Sequence, residues 1–133
     1  MTRVVLVVAG LLALSACSPG LSAAKRQAEV DFACDSSDLE TTRRSNDTYI
    51  VRGCGRTGVY QCPTGVGTDH RWCSNLTILA NQRFAAEFSC AESELSVSEL
   101  SPYVFRVSGC DNQATYHCSA ADGSPRCTVD AAR

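Results

Sequence analysis

The sequence predicts a small, disulfide-rich α+β fold made of two tandem repeats, each a short helix followed by a three-stranded antiparallel meander. Two observations carry this prediction. Nine cysteines fall within 133 residues, and eight keep a repeated ruler: Cys34, Cys54 and Cys62 are separated by 19 and 7 residues, as are Cys90, Cys110 and Cys118. Cys73 closes the first set after 10 residues and Cys127 the second after 8. The second observation is that a shift of 56 aligns more than cysteine: Phe32 falls on Phe88, Leu39 on Leu95, Val51 on Val107, Gly53-Cys54 on Gly109-Cys110, and Tyr60 on Tyr116. Coincidence of aromatics, glycine and cysteine together marks an internal duplication.

The segments opening the units, 23–33 and 79–89, are rich in Ala, Glu, Arg and Gln, which favours helix. Ala28, Val30 and Phe32 also alternate as a strand would, so both readings stand, with helix preferred; the stretch from Ala80 to Arg83 then doubles as the connection between units. Leu95, Val97 and Glu99 alternate with serines as a half-buried strand, answered more weakly by Leu39, Thr41 and Arg43. Ser45-Asn46-Asp47 and Ser101-Pro102 supply the next turns. The best strands follow, Tyr49 to Cys54 and Tyr103 to Cys110, with Tyr49 and Val51, and Phe105 and Val107, on their inward faces. Gly53 and Gly109 interrupt them one residue before cysteine, as a bulge or a close backbone approach would. Third strands run through Val59 to Cys62 and Thr115 to Cys118, where Tyr60 and Cys62, like Tyr116 and Cys118, share a face.

Eight cysteines allow 105 pairings, and identical pairing inside each repeat leaves three. An antiparallel hairpin of the first two strands brings Cys34 near Cys54 and Cys90 near Cys110, so we prefer first with second and third with fourth: Cys62 with Cys73, Cys118 with Cys127.

The ninth cysteine has a different setting. Arg3 precedes an apolar run from Val4 to Leu14, a signal-peptide length that falls short of the roughly 20 residues needed to span a bilayer. Signal peptidase could cut after Ala24 at Ser22-Ala23-Ala24. Leu14-Ser15-Ala16-Cys17, however, resembles the bacterial lipobox, which implies acylation of Cys17 and cleavage just before it. Lipidation also gives the odd thiol a fate and leaves an even number for disulfides. Ser18 is not the aspartate that retains lipoproteins in the inner membrane, so the resemblance implies an outer-membrane destination, facing the periplasm or the surface. The expected organisation is a signal peptide over 1–16, a lipidated linker over 17–24, and cysteine-rich repeats over 25–76 and 77–133.

Loss of Arg3 leaves 11 Lys plus Arg against 14 Asp plus Glu, with a single Lys, which offers no electrostatic footprint for nucleic acid. Units of this size need disulfides or a neighbour to fold, and an oxidising compartment supplies the former.

The pattern Phe-x-Cys, Leu, Val-x-Gly-Cys, Tyr-x-Cys resembles a cysteine-rich module of uncharacterised myxobacterial-type lipoproteins, written around Gly-Cys-Gly and Tyr-x-Cys. Gly53-Cys54-Gly55 keeps the triplet and Gly109-Cys110-Asp111 departs at its third place. The resemblance implies location and architecture, and no catalytic residue.

No Gly-x-Ser-x-Gly elbow accompanies the two histidines, His70 and His117, and both read as exposed polar positions. Zinc or thiol redox chemistry would call for Cys-x-x-Cys knuckles, which the spacings lack, so neither metal nor cofactor is expected. Trp72, directly before Cys73, packs on a disulfide or anchors a partner. Asn46-Asp47-Thr48 and Asn75-Leu76-Thr77 match the N-glycosylation sequon, idle in a bacterium. The expected function is a non-enzymatic envelope structural or binding module, held to the membrane through Cys17, with an envelope protein or glycan as candidate partner. The alternative is a secreted enzyme or enzyme inhibitor displaying a loop such as Pro63 to Arg71.

Overall fold

The computed structural model describes residues 19–64 and 72–130. Cys17, the apolar N-terminal run, His70 and most of the Pro63–Arg71 loop lie outside the described residues. No helix among those described is long and apolar enough to cross a membrane.

Two copies of one unit follow each other. Helix α1 (Pro19–Phe32) leads through a short 3-10 turn (Ser36–Asp38) into β1 (Glu40–Arg43), β2 (Thr48–Gly53), β3 (Arg56–Gln61) and β4 (Ser74–Asn75). Helix α2 (Leu76–Phe88) leads through Glu92–Glu94 into β5 (Ser96–Ser101), β6 (Val104–Gly109), β7 (Asn112–Ser119) and β8 (Arg126–Val129). The 3-10 turns and the paired strands β2 and β6 repeat at the 56-residue shift with identical bounds. Each sheet is antiparallel with its strands in chain order, β1-β2-β3-β4 and β5-β6-β7-β8.

The meanders therefore have four strands, not three. In the first sheet the fourth strand is Ser74-Asn75 alone, paired with Gln61 and Tyr60; in the second, Cys127 stands opposite Cys118. The opening segments are helices. Residues 19–24 belong to α1 rather than to a linker, and Gly20, Ala23 and Ala24 are buried there. Pro19 suits a first helical position, where no N–H is needed. Ala80 to Arg83 lies in mid-helix, and the boundary between residues 76 and 77 falls in the first turn of α2.

The inward faces carry the residues that the strand periodicity marks. Tyr49, Val51, Tyr60 and Cys62 pack against Ala23, Ala24, Ala28 and Phe32 of α1 in the first core. Phe105, Val107, Tyr116 and Cys118 pack against Leu76, Ala80 and Phe84 of α2 in the second. Small side chains at four-residue spacing, Ala24 and Ala28, let α1 lie close to its sheet. The second core also takes in Val59, from the outward side of β3. Thr77 on α2 accepts the Val59 N–H at 3.1 Å, so α2 covers one face of the second sheet and touches the back of the first.

Each helix ends on a left-handed residue, Ala33 (φ 49°) or Ser89 (φ 53°), directly before the first cysteine of its unit. Disulfides join Cys34 to Cys54, Cys62 to Cys73, Cys90 to Cys110 and Cys118 to Cys127. The first bond of each unit ties a helix end to a hairpin tip. Both tip residues have positive φ in each copy, Cys54 (49°) with Gly55 (73°) and Cys110 (47°) with Asp111 (61°), as a type I′ turn requires. Asp is one of the few non-glycine residues that visit positive φ, so Asp111 keeps the turn without the glycine of the first copy. Gly53 and Gly109 are close approaches: a Cβ on Gly109 would stand 2.8 Å from the Glu94 carbonyl oxygen, and one on Gly53 would strike that of Asp38.

Candidate functional site

The two units meet where the repeat is least faithful. Arg44 donates two hydrogen bonds of 2.6 Å to the Glu99 carboxylate, and the Tyr103 N–H donates a third to it at 3.1 Å. Thr48 and Tyr103 share a hydrogen bond between their hydroxyls at 2.9 Å. Buried Gln61 accepts from the Ala120 N–H at 2.7 Å and donates to Asp47 at 3.0 Å. The residues one repeat further on from Arg44, Thr48 and Gln61 are Leu100, Val104 and His117, so this junction is made once. His117 is exposed, its ring edge-on to Tyr103.

Beside this junction opens a cleft of about 410 Å³. One wall is the tip of the β2–β3 hairpin with Arg56 and Thr57; the floor is α2 with Thr77 and Asn81; the far wall is the start of β5, Leu95 to Val97. Phe32 completes the lining. A narrower hollow of about 140 Å³ continues it between Ile50, Val59, Val97 and Phe105. The lining thus mixes apolar walls with a few polar groups, the usual make-up of a ligand site. Asn81 Oδ1 is buried in this setting with no hydrogen-bond partner among the described residues. Arg56 donates one bond, to the Asp31 carbonyl at 3.2 Å, and is otherwise exposed.

Behind the cleft a polar cluster fixes its framework. The Tyr60 hydroxyl donates to Asp31 Oδ2 at 2.9 Å, Asn75 Nδ2 lies 3.0 Å from the same oxygen, and Gln27 donates to Oδ1 at 3.0 Å. Asn75 Oδ1 meanwhile caps α2 by accepting the Ile78 N–H at 3.1 Å. One side chain therefore ties α1, β3 and α2 together, and that engagement occupies the second sequon. Burial, and then the Asp31 charge, push the Tyr60 phenol far above its ordinary pKa, so it stays a neutral donor. The second unit repeats the motif: Tyr116 donates to Glu87 at 3.0 Å, with Arg83 at 3.6 Å from that carboxylate. Burial and then the bond to Glu87 push Tyr116 up to about 12. The 56-residue shift places Asp31 on Glu87, so the tyrosine's carboxylate partner is itself repeated in the sequence.

Two sulfur-and-carboxylate groups have the composition of a metal site, Cys34 with Asp38 and Cys54, and Cys90 with Glu94 and Cys110. Their sulfurs are consumed in disulfides, so no thiolate is available to a metal. Trp72, next to Cys73 in the chain, is not among the cleft lining and has 45% of its surface exposed. The remaining candidate, Cys17, precedes the described residues. Compared with protein families, curated proteins and solved structures, the chain matches none.

Proposed function

We propose that the chain is an exported lipoprotein, anchored through an acyl chain on Cys17, whose two fused cysteine-rich units form a non-enzymatic binding module of the cell envelope. The observation that carries this reading is the start of α1. Cleavage after Ala24 would remove a helical turn and a half that holds buried Gly20, Ala23 and Ala24. Cleavage before Cys17 keeps that turn and places the lipid two residues from Pro19. The sulfur count agrees with it, since all eight later cysteines are paired in disulfides, which suits an oxidising compartment. The binding role rests on the cleft between the units, with its apolar walls and few polar groups. An outer-membrane destination follows from Ser18 under the lipoprotein sorting pattern.

Detergent-phase partition and intact mass of the protein from cells test the reading. The expected result is retention with membranes until detergent is added, and a mass carrying acyl chains on a chain that begins at Cys17. A soluble product beginning at Lys25, or an unmodified Cys17, would overturn it. A stable complex with a purified protease would instead favour the inhibitor reading, in which the segment from Pro63 to Arg71 is the reactive loop.

A further inference from the structure

We infer that the cleft between the units is a binding site for a short extended peptide segment with a free carboxyl group. This deepens the binding-module reading and rests on it for its biological setting, while its chemistry comes from the cleft alone.

Three features of the lining point to the same ligand. The far wall belongs to β5, the outermost strand of its sheet, whose free edge offers backbone groups with no strand partner. Such an edge pairs with an added extended chain, main chain to main chain. The bulge that irregularises β5 lies between Glu99 and Ser101, at the end away from the cleft, so the stretch from Ser96 to Ser98 keeps regular pairing geometry.

At the mouth, Arg56 spends one of a guanidinium's five N–H groups on the Asp31 carbonyl. The others can form a paired contact with a carboxylate. Between these poles Phe32, Leu95 and Val97 give apolar contact for one side chain. A volume of about 410 Å³ is near the lower end for ligand pockets, enough for a short segment and not for a folded partner.

The polar residues that would touch the ligand are also the ones that duplication did not keep. Arg56, Thr57 and Asn81 correspond to Asn112, Gln113 and Lys25, whereas the apolar Phe32 and Leu95 correspond to Phe88 and Leu39, and Val97 to Thr41. The unit's own construction therefore does not require them.

The test is a titration of the mature disulfide-bonded chain with N-acetyl-alanyl-leucine, followed by backbone amide NMR. Expected are saturable shifts at Thr57, Asn81 and Ser96, weakened about tenfold when the peptide carboxyl is amidated, the scale of one charge-assisted contact. N-methylation of the leucine nitrogen should weaken binding similarly, by removing a main-chain donor for the β5 edge. Arg56→Gln, at an exposed position that leaves both cores intact, should bind the acid and the amide equally. No saturable shift, shifts confined to other surfaces, or equal binding of acid and amide by the unaltered chain would overturn the inference. Membrane retention and acylation of Cys17 are measured separately, so a silent cleft on an anchored protein refutes the ligand and not the anchor.

Discussion

Arg44 and Glu99 stand 55 residues apart in the chain and meet in a paired contact of two 2.6 Å hydrogen bonds, both side chains partly buried between the units. The Glu99 carboxylate holds the guanidinium in its charged form, raising its pKa further despite the opposing effect of burial. Glu99→Gln should lower the unfolding free energy by about 1 kcal/mol, as partial exposure and salt screening limit such a pair. Urea denaturation checks this: the midpoint should fall with the slope unchanged, and by less in high salt.

The first disulfide of each unit closes a loop of about 20 residues and the second a loop of about half that. Replacing Cys34 and Cys54 together by alanine should cost about 3 kcal/mol, on the chain-entropy estimate for loops of this length. The Cys62/Cys73 pair should cost somewhat less by the same estimate. Thermal unfolding of the two double variants under non-reducing conditions gives the comparison.

Gly109→Ala should destabilise by about 1–3 kcal/mol, because the new methyl would meet the Glu94 carbonyl and the Leu95 side chain. Gly55→Asn, with open space around it but φ 73°, should cost less, under about 1 kcal/mol, because Asn tolerates the left-handed region better than other side chains. Circular dichroism melts of the two variants should separate them clearly.

Tyr116, pushed up to about 12 by burial and by Glu87, gives the protein an alkaline dependence. A group whose folded pKa lies above its unfolded value of about 10 contributes stability that is complete below 10 and lost as pH rises toward 12. Tyr116→Phe should therefore flatten the stability profile across that window. Glu87→Gln should bring the Tyr116 ionisation, followed by ultraviolet absorbance, to lower pH.

Asp47 acts at the acid end. Burial raises its pKa, but hydrogen bonds from Gln61, Ser45 and Thr48 outweigh that, and the net displacement is downward. Its contribution is thus present above the unfolded value of about 3.9 and lost as pH falls through the lower folded one. Asp47→Asn should remove that part of the acid loss of stability, measured by denaturant titration at successive pH values.

Much of the architecture was legible because duplication reports it twice. The inward pairs Tyr49 with Val51 and Phe105 with Val107 follow from alternation on β-rich segments, and Gly53 with Gly109 from glycine at one place in both copies. The fourth strands were not legible. Ser74-Asn75 has two polar residues and no period, and becomes a strand only because Cys73 is tied to Cys62 and Asn75 caps the next helix. Helix α1 began earlier than its charged residues suggested, since Ser22-Ala23-Ala24 resembles a processing site until Ala23 and Ala24 are seen packed. The cleft was hidden for a different reason. Arg56, Asn81 and Val97 approach one another only when the units dock, and no spacing within either repeat records that docking.

Helix α2 lies on one sheet and touches the back of another, and this bears on how the protein can be inherited and dismantled. A duplication ordinarily yields two parts that drift apart independently, each free to be lost or copied again. Here a substitution at Thr77 or Leu76 answers to both halves, through the bond to Val59 and the core around Phe84. A proteolytic nick between the units would strip the first of a wall instead of freeing it. The outward face of the second sheet, with Arg106, Thr115 and His117 where the first has Ile50, Val59 and Gln61, is not built to receive another copy in the same way. The pair, and not the repeat, is what selection can keep or discard.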